Sequence, residues 1–442
     1  MTRGLLSYAA LALTILVMTA ILMAGTSPAA TPTFSKEVAP ILYKNCANCH
    51  RPGEIAPMSL LTYENARPWA RAIREQVALG NMPPWHAAAP RGTFSNDRRL
   101  SDQDKDTLIR WADAGAPKGD SKDLPPIPKF VEGWEIGTPD AVISMPKEFE
   151  VPASGTVAYQ FFEAPTNFTE DKWVQAIEVR PGTRSVVHHV LVFCREPGSR
   201  RAPASFAPVG PGVPGAAQQN PNSRTAAPRD PGMPGALIAT TAPGTNAMIY
   251  KPGTALLIKA GAVLFFQVHY TSNGAAARDR TSVGLVFAKA PPQQEIRNSA
   301  FINAMFVIPA GSGDQTVESA IQFTEDVHIS ALFPHTHLRG KSWEYRLVYP
   351  DGRSEVVLAV PKYDFNWQTY YVFTKPLAVP SGSRLEATAH YDNSTANKWN
   401  PDPTVAVRWG PQTWEEMQYS GITYSVDGVR RESTAATRDQ QK

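Results

Sequence analysis

The chain has 442 residues and a formal net charge of +3, with 40 prolines, 30 glycines and three cysteines. That length accommodates two or three domains. The near-balanced charge, with no long basic stripe or acidic tail, excludes nucleic acid as the expected partner.

At the N-terminus, Met1–Thr26 carries Arg3 and then an apolar run from about Leu5 to Gly25, followed by Ala29 and Ala30. A charged start, an apolar middle and small residues at the end make a secretory signal, here residues 1–30. The run is long enough that an uncleaved membrane anchor is the alternative. Either way the remainder is expected outside the cytoplasm, in the periplasm or cell envelope.

Cys46-Ala47-Asn48-Cys49-His50 has the CxxCH spacing of covalent haem c attachment. Two thiols add to the haem vinyls, and the adjoining histidine is placed to ligate iron. With both thiols in one motif, no disulfide framework can form from the three cysteines. Phe34–Asn45 and Glu64–Leu79 read as helices, the latter with Trp69, Ile73 and Val77 spaced by four. Met82, in the stretch Gly80-Asn81-Met82-Pro83-Pro84-Trp85, is the expected second axial ligand; Met58 competes, and His86 is a weaker alternative. Ser101 caps a helix through Ala114, with Gly115 as its stop. Residues 31–120 are therefore expected to be a small all-α cytochrome c domain holding one haem.

A proline-containing linker, residues 121–136, precedes a change of pattern. Helical periodicity gives way to short β-type runs, among them Trp173–Val179, Val186–Cys194, Leu264–Thr271, Val327–Phe333 and Arg384–Tyr391. Turn signals such as Pro350-Asp351-Gly352 separate them. Antiparallel β-sandwiches are the expectation, in two halves, 137–290 and 291–430, divided at Pro291-Pro292, with a disordered tail at 431–442. Glu196–Gly244, rich in Pro, Gly, Ala and Arg, reads either as a disordered insertion or as a flap over a site.

The remaining signal is a set of metal-ligand types. His335 and His337 are separated by one residue, so on an extended segment both imidazoles face the same way. His188 and His189 are adjacent, so one metal can hold both only if the strand ends or bulges there. His269 and Met417 complete the set. Imidazoles with a thioether favour copper, and methionine disfavours zinc.

The HH pair at His188-His189, the VHY at His269, the HTH at His335–His337 and the EM at Glu416-Met417 occur in the order found in the copper type II ascorbate-dependent monooxygenases. Residues from about Gly137 to Asp427 resemble that family, which includes peptidylglycine α-hydroxylating monooxygenase and dopamine β-monooxygenase. The resemblance implies two jelly-roll-like sandwich domains with one copper each. His188, His189 and His269 correspond to an electron-transferring copper; His335, His337 and Met417 correspond to the oxygen-binding copper. Fusion to an exported haem domain looks like a bacterial form, and Tyr363–Gln368 and Ala389–Ser394 look typical of it. The animal members are rich in disulfides, which this chain lacks, and their substrate contacts are not traceable here. The implied protein is an exported oxidoreductase that takes O2 and an organic substrate, hydroxylates a C–H bond, and draws electrons from a donor through the haem. The alternative is a copper and haem electron-transfer or oxidase protein without hydroxylase activity. His390 has no counterpart in the motif set and reads either as a support behind the metal ligands or as structural, and His328 reads as structural.

Overall fold

The computed structural model describes residues 30–427 apart from 55, 199–205, 209–234, 243–244 and 246. The expected signal segment up to residue 29, the tail at 431–442 and most of the 196–244 insertion lie outside the described residues.

The expected architecture is corrected in its first element. The molecule is mostly β-sandwich sheet, with only about 13% helix in a few short segments, and no small all-α cytochrome domain is evident among the described residues. The helices are Ala39–Asn45, preceded by a π-turn at Phe34–Val38, then Tyr63–Ala66, Ala70–Ala78 and Asp102–Asp113. Their starts follow local chemistry. Thr62 and Ser101 each accept a hydrogen bond from the backbone N–H three residues on, at Asn65 and Asp104. Phe34, Leu42, Ile73, Leu108 and Trp111 form a small core between them. Of the chain between the last two helices, Leu100 joins that core, but the stretch before it turns away. Trp85, Ala87 and Phe94 are buried in the core of the second β half instead. Backbone bonds secure this docking: Ala88 N–H to Ala359 O at 2.9 Å, Ser95 N–H to Val372 O at 2.8 Å and Thr374 N–H to Thr93 O at 3.0 Å. Apolar side chains that a free-standing helical domain would keep for itself are thus spent on the sheets.

The principal sheet has nine strands and crosses Pro291-Pro292. Its main path runs Ala141–Ser144, Ser282–Phe287, Lys172–Arg180, Thr254–Ile258, Gln294–Ile302, Tyr419–Val426, Val327–His335 and Tyr371–Val379. The two halves join where Gln294–Ile302 pairs in parallel with Thr254–Ile258 and antiparallel with Tyr419–Val426. A four-stranded sheet, Gln160–Pro165, Val263–Tyr270, Val187–Arg195 and Ala236–Thr241, covers the first half, with Val190, Val192, Leu264, Phe266 and Val268 in the core between. A five-stranded sheet, Ser354–Val360, Gly340–Val348, Arg384–Tyr391, Gln315–Phe323 and Phe206–Pro208, covers the second.

Strand alternation then determines what meets at the seam between halves. Side chains one residue out of phase with the core point away from it. Leu191, Phe193, Ala331, Phe333 and Tyr419 do so and pack together with Tyr370. His189, His269 and His335 share their phase. Among the described residues no helix is long and apolar enough to cross a membrane.

Candidate metal centre

His189 pairs directly with His269 across neighbouring strands, but the next pair is Tyr270 with Val187. His188 is the extra residue of a bulge, and the bulge turns it onto the face that His189 occupies. The three rings lie 5.0–5.2 Å apart between centroids, and one ligand atom from each falls within 4.8 Å of the others. His188 Nδ1 and His189 Nδ1 approach to 3.0 Å.

His335 ends its strand opposite Tyr419, and His337 follows in the turn, with ring centroids 5.2 Å apart. Both are buried, as is Met417. Glu416 organises this turn. Its carboxylate accepts N–H bonds from His337 at 2.7 Å, Arg339 at 2.6 Å and Met417 at 3.3 Å. That ties the HTH segment to the methionine-bearing segment. His337 Nδ1–H donates to Glu415 O at 3.0 Å, which leaves Nε2 free. A ring nitrogen engaged by a carbonyl fixes the tautomer and presents the other nitrogen to a ligand.

The two groups adjoin. The Tyr159 ring lies 5.5 Å from His189, 4.9 Å from His269 and 6.1 Å from His337. Phe365 contacts His188, His189, His269 and His337 at 5.7–6.0 Å, stacked on His188. Burial holds the imidazoles neutral. It pushes the His269 and His335 pKa values down to about 3 and that of His337 to about 4, and His189 falls well below its ordinary value. Burial raises Glu416 to about 7, against the lowering effect of the N–H bonds it accepts.

These residues fit a metal. The buried nitrogens His189 Nε2, His269 Nδ1, His335 Nδ1 and His337 Nε2 have no hydrogen-bond partner among the described residues. One such atom costs about 1–3 kcal/mol, so several on one seam are hard to explain by packing alone. Neutral imidazoles and a thioether are a copper-type donor set.

At the N-terminal end, Cys46 and Cys49 are free thiols, and burial pushes Cys46 up to about 12. His50 Nδ1 is buried without a hydrogen-bond partner among the described residues. Met58 and Cys46 each pack against the helical core, and the Met58 backbone contacts the His50 ring. Met82 lies just past the Ala70–Ala78 helix, its N–H on Gln76 O at 3.3 Å. His86 faces Asp364, and burial lowers its pKa. Glu54, in the loop after His50, pairs with Arg184 at 2.8 Å, four residues before His188. His390 and His328 sit apart on Asp314 (3.0 Å) and Asp427 (2.8 Å).

Sequence reasoning gave no role to Tyr159, Phe365, Gln368 or the Glu416 carboxylate. The Tyr363–Gln368 stretch and the pairing of Glu416 with Met417 entered through the resemblance, and no spacing rule points to Tyr159.

Residues 307–431 match the family model for the C-terminal domain of copper type II ascorbate-dependent monooxygenases. That span, under half of the chain, contains His335, His337 and Met417, and the family it resembles is one of copper-dependent oxidoreductases. No curated protein matches the chain. Among solved structures, the major capsid protein P2 of bacteriophage PM2 is similar at 9% identity, with 65% of this chain and 97% of that one covered and a TM-score of 0.27. A putative secreted protein from Eubacterium rectale is similar at 10% identity, with 61% and 69% covered and a TM-score of 0.18. Likenesses this slight carry no argument.

Proposed function

We propose that the protein is an exported, O2-dependent copper monooxygenase that hydroxylates a C–H bond of an organic substrate. The observation that carries this reading is the convergence of five imidazoles, several with orphaned nitrogens, on one buried seam. His188, His189 and His269 would hold one copper, and His335, His337 and Met417 a second. Copper, when bound, supplies the one-electron chemistry toward O2 that no side chain here provides. The chain's own contribution is positional. Glu415 and Glu416 set the His337 tautomer and the HTH turn, Tyr159 and Phe365 keep water from the ring edges, and burial keeps every imidazole unprotonated and able to ligate.

Cys46, Cys49 and His50 would hold a covalent haem, which would supply electron storage. The CxxCH spacing and the free thiol pair support this, and the Glu54–Arg184 pair ties the loop to the segment just before the His188 strand. The apolar run from Leu5 to Gly25 supports export, which haem attachment also requires.

Elemental analysis is expected to return copper near two and iron near one per chain. Under labelled O2 with a reductant, one labelled oxygen is expected in an organic product. Label confined to water or peroxide overturns the monooxygenase reading in favour of an oxidase. If oxidation of the reduced haem Soret band by O2 is unchanged on copper removal, the haem does not supply the copper centres.

A further inference from the structure

Residues 361–370 form an irregular loop between the strands Ser354–Val360 and Tyr371–Val379. The loop carries the ring that walls off the first histidine group. Phe365 is stacked on His188 at 5.8 Å and lies 5.7 Å from His189 and 5.9 Å from His269. Buried Gln368 braces it, donating Nε2–H to Phe365 O at 3.4 Å. Irregular loops are ordinarily the least fixed part of a sheet protein. This one is pinned at three places. The Tyr363 hydroxyl donates to Thr336 O at 3.0 Å and accepts from Thr336 N–H at 3.3 Å, inside the HTH turn. The other two pins come from the segment between the helices Ala70–Ala78 and Asp102–Asp113. Ala88 N–H bonds Ala359 O at 2.9 Å on the entering stem. On the leaving stem, half-buried Asn96 donates Nδ2–H to Tyr370 O at 2.6 Å and accepts from Val372 N–H at 3.1 Å.

An amide side chain offers a donor and an acceptor on separate atoms. Asn96 uses both on one stretch of backbone, as a partner strand would. Without it the loop gains free residues at its end, and an ordered loop with a loosened stem opens more often. We propose that Asn96 is a positioning residue for the His188/His189/His269 group: by fixing the stem of the 361–370 loop it holds Phe365 against the histidines and closes that group to solvent. The proposal rests on the copper reading above. It adds that a side chain from the N-terminal segment, which touches no ligand, governs how firmly the first group keeps its metal.

The test loads the full-length protein with Cu(I) and follows anaerobic loss of metal to a chromophoric chelator. The release phase that H188A abolishes belongs to the first group. N96A is expected to speed that phase about tenfold, the effect of two lost hydrogen bonds, and to leave the other phase unchanged. F365A is expected to speed the same phase, and N96A added to it should change nothing further. No acceleration, equal acceleration of both phases, or a full N96A effect in the F365A background overturns the proposal. A merely structural Asn96 would lower the melting temperature and speed both phases alike. Hydrogen exchange of the metal-free protein gives a second readout. N96A is expected to speed exchange across residues 363–369 about tenfold and to spare Arg384–Tyr391. Unchanged exchange in the loop also overturns the proposal. If N96A fails to fold, N96S takes its place and is read in the same way. A natural protein that takes up no Cu(I) sinks the copper reading, while the exchange result still decides whether Asn96 holds the loop.

Discussion

Glu416 shows how much of the centre depends on a residue that holds no metal. It is fully buried, and its carboxylate binds three backbone N–H groups around the HTH turn. Arg339 is buried too, donating Nε–H to Asn393 at 2.7 Å and Nη1–H to Trp414 O at 2.9 Å. Replacing the carboxylate by a methyl strands three donors in a site closed to water. E416A is therefore expected to cost about 3 kcal/mol or more. The loss should appear as a lower urea midpoint, with copper at the second group falling before copper at the first. E416Q keeps one acceptor oxygen and is expected to lie between. Equal copper content in E416A and the natural protein would count against this role.

At the scale of elements, two local distortions build the seam. The bulge at His188 lets adjacent residues share a face, which a regular strand forbids. Gly340 does the corresponding work after His337. A Cβ there would meet the Thr336 hydroxyl and lie 2.8 Å from the Tyr363 ring, so only glycine lets the turn close. G340A is expected to cost about 1–3 kcal/mol by overpacking. Copper analysis should show depletion at the His335 group with the His188 group spared; equal depletion of both would refute a local effect. Several elements were legible in advance because their chemistry is local. The Ser101 cap and the strands at Ser282–Phe287, Ser354–Val360 and Arg384–Tyr391 fall where alternation, capping and turn residues place them. Tyr371–Val379 was not legible, because Pro376 interrupts it and it pairs across a register shift. Gln294–Ile302 mixes polar and apolar residues without strict alternation, yet it joins the two halves.

For the whole molecule, the docking of residues 85–98 decides the architecture. Trp85 and Phe94 pack on Tyr371 at 5.2 and 5.6 Å, and Phe94 on Phe373 at 5.1 Å. F94A is expected to cost about 3–5 kcal/mol. Because Phe94 bridges helices and sheets, hydrogen exchange should speed in the helical segments more than in the strands. Uniform acceleration would mean that the two unfold as one unit. The buried histidines set the acid limit of the metal-free protein. Their folded pKa values near 3–4 lie below the ordinary 6.5, so as pH falls below about 6.5 the unfolded chain takes up protons first and stability drops. Glu416 acts in the opposite sense. Its folded pKa near 7 exceeds the ordinary 4.5, so its contribution declines as pH rises through that window. Three histidines outweigh one carboxyl, so the urea midpoint should be lower at pH 5 than at pH 7, and E416Q should widen the gap. A midpoint independent of pH would contradict neutral burial of the rings.

The sequence by itself determined the donor types, their order along the chain and the face each strand histidine occupies, because those follow from side-chain chemistry and a two-residue period. It also required the strand to end or bulge if His188 and His189 were to share a metal. Only the tertiary structure decided that both histidine groups meet on one seam, that Tyr159 and Phe365 touch rings of both, and that Trp85, Ala87 and Phe94 pack on the sheets while the helices keep a small core of their own. Those outcomes depend on contacts between residues far apart in the chain, and no local propensity encodes which distant apolar surface a segment will cover.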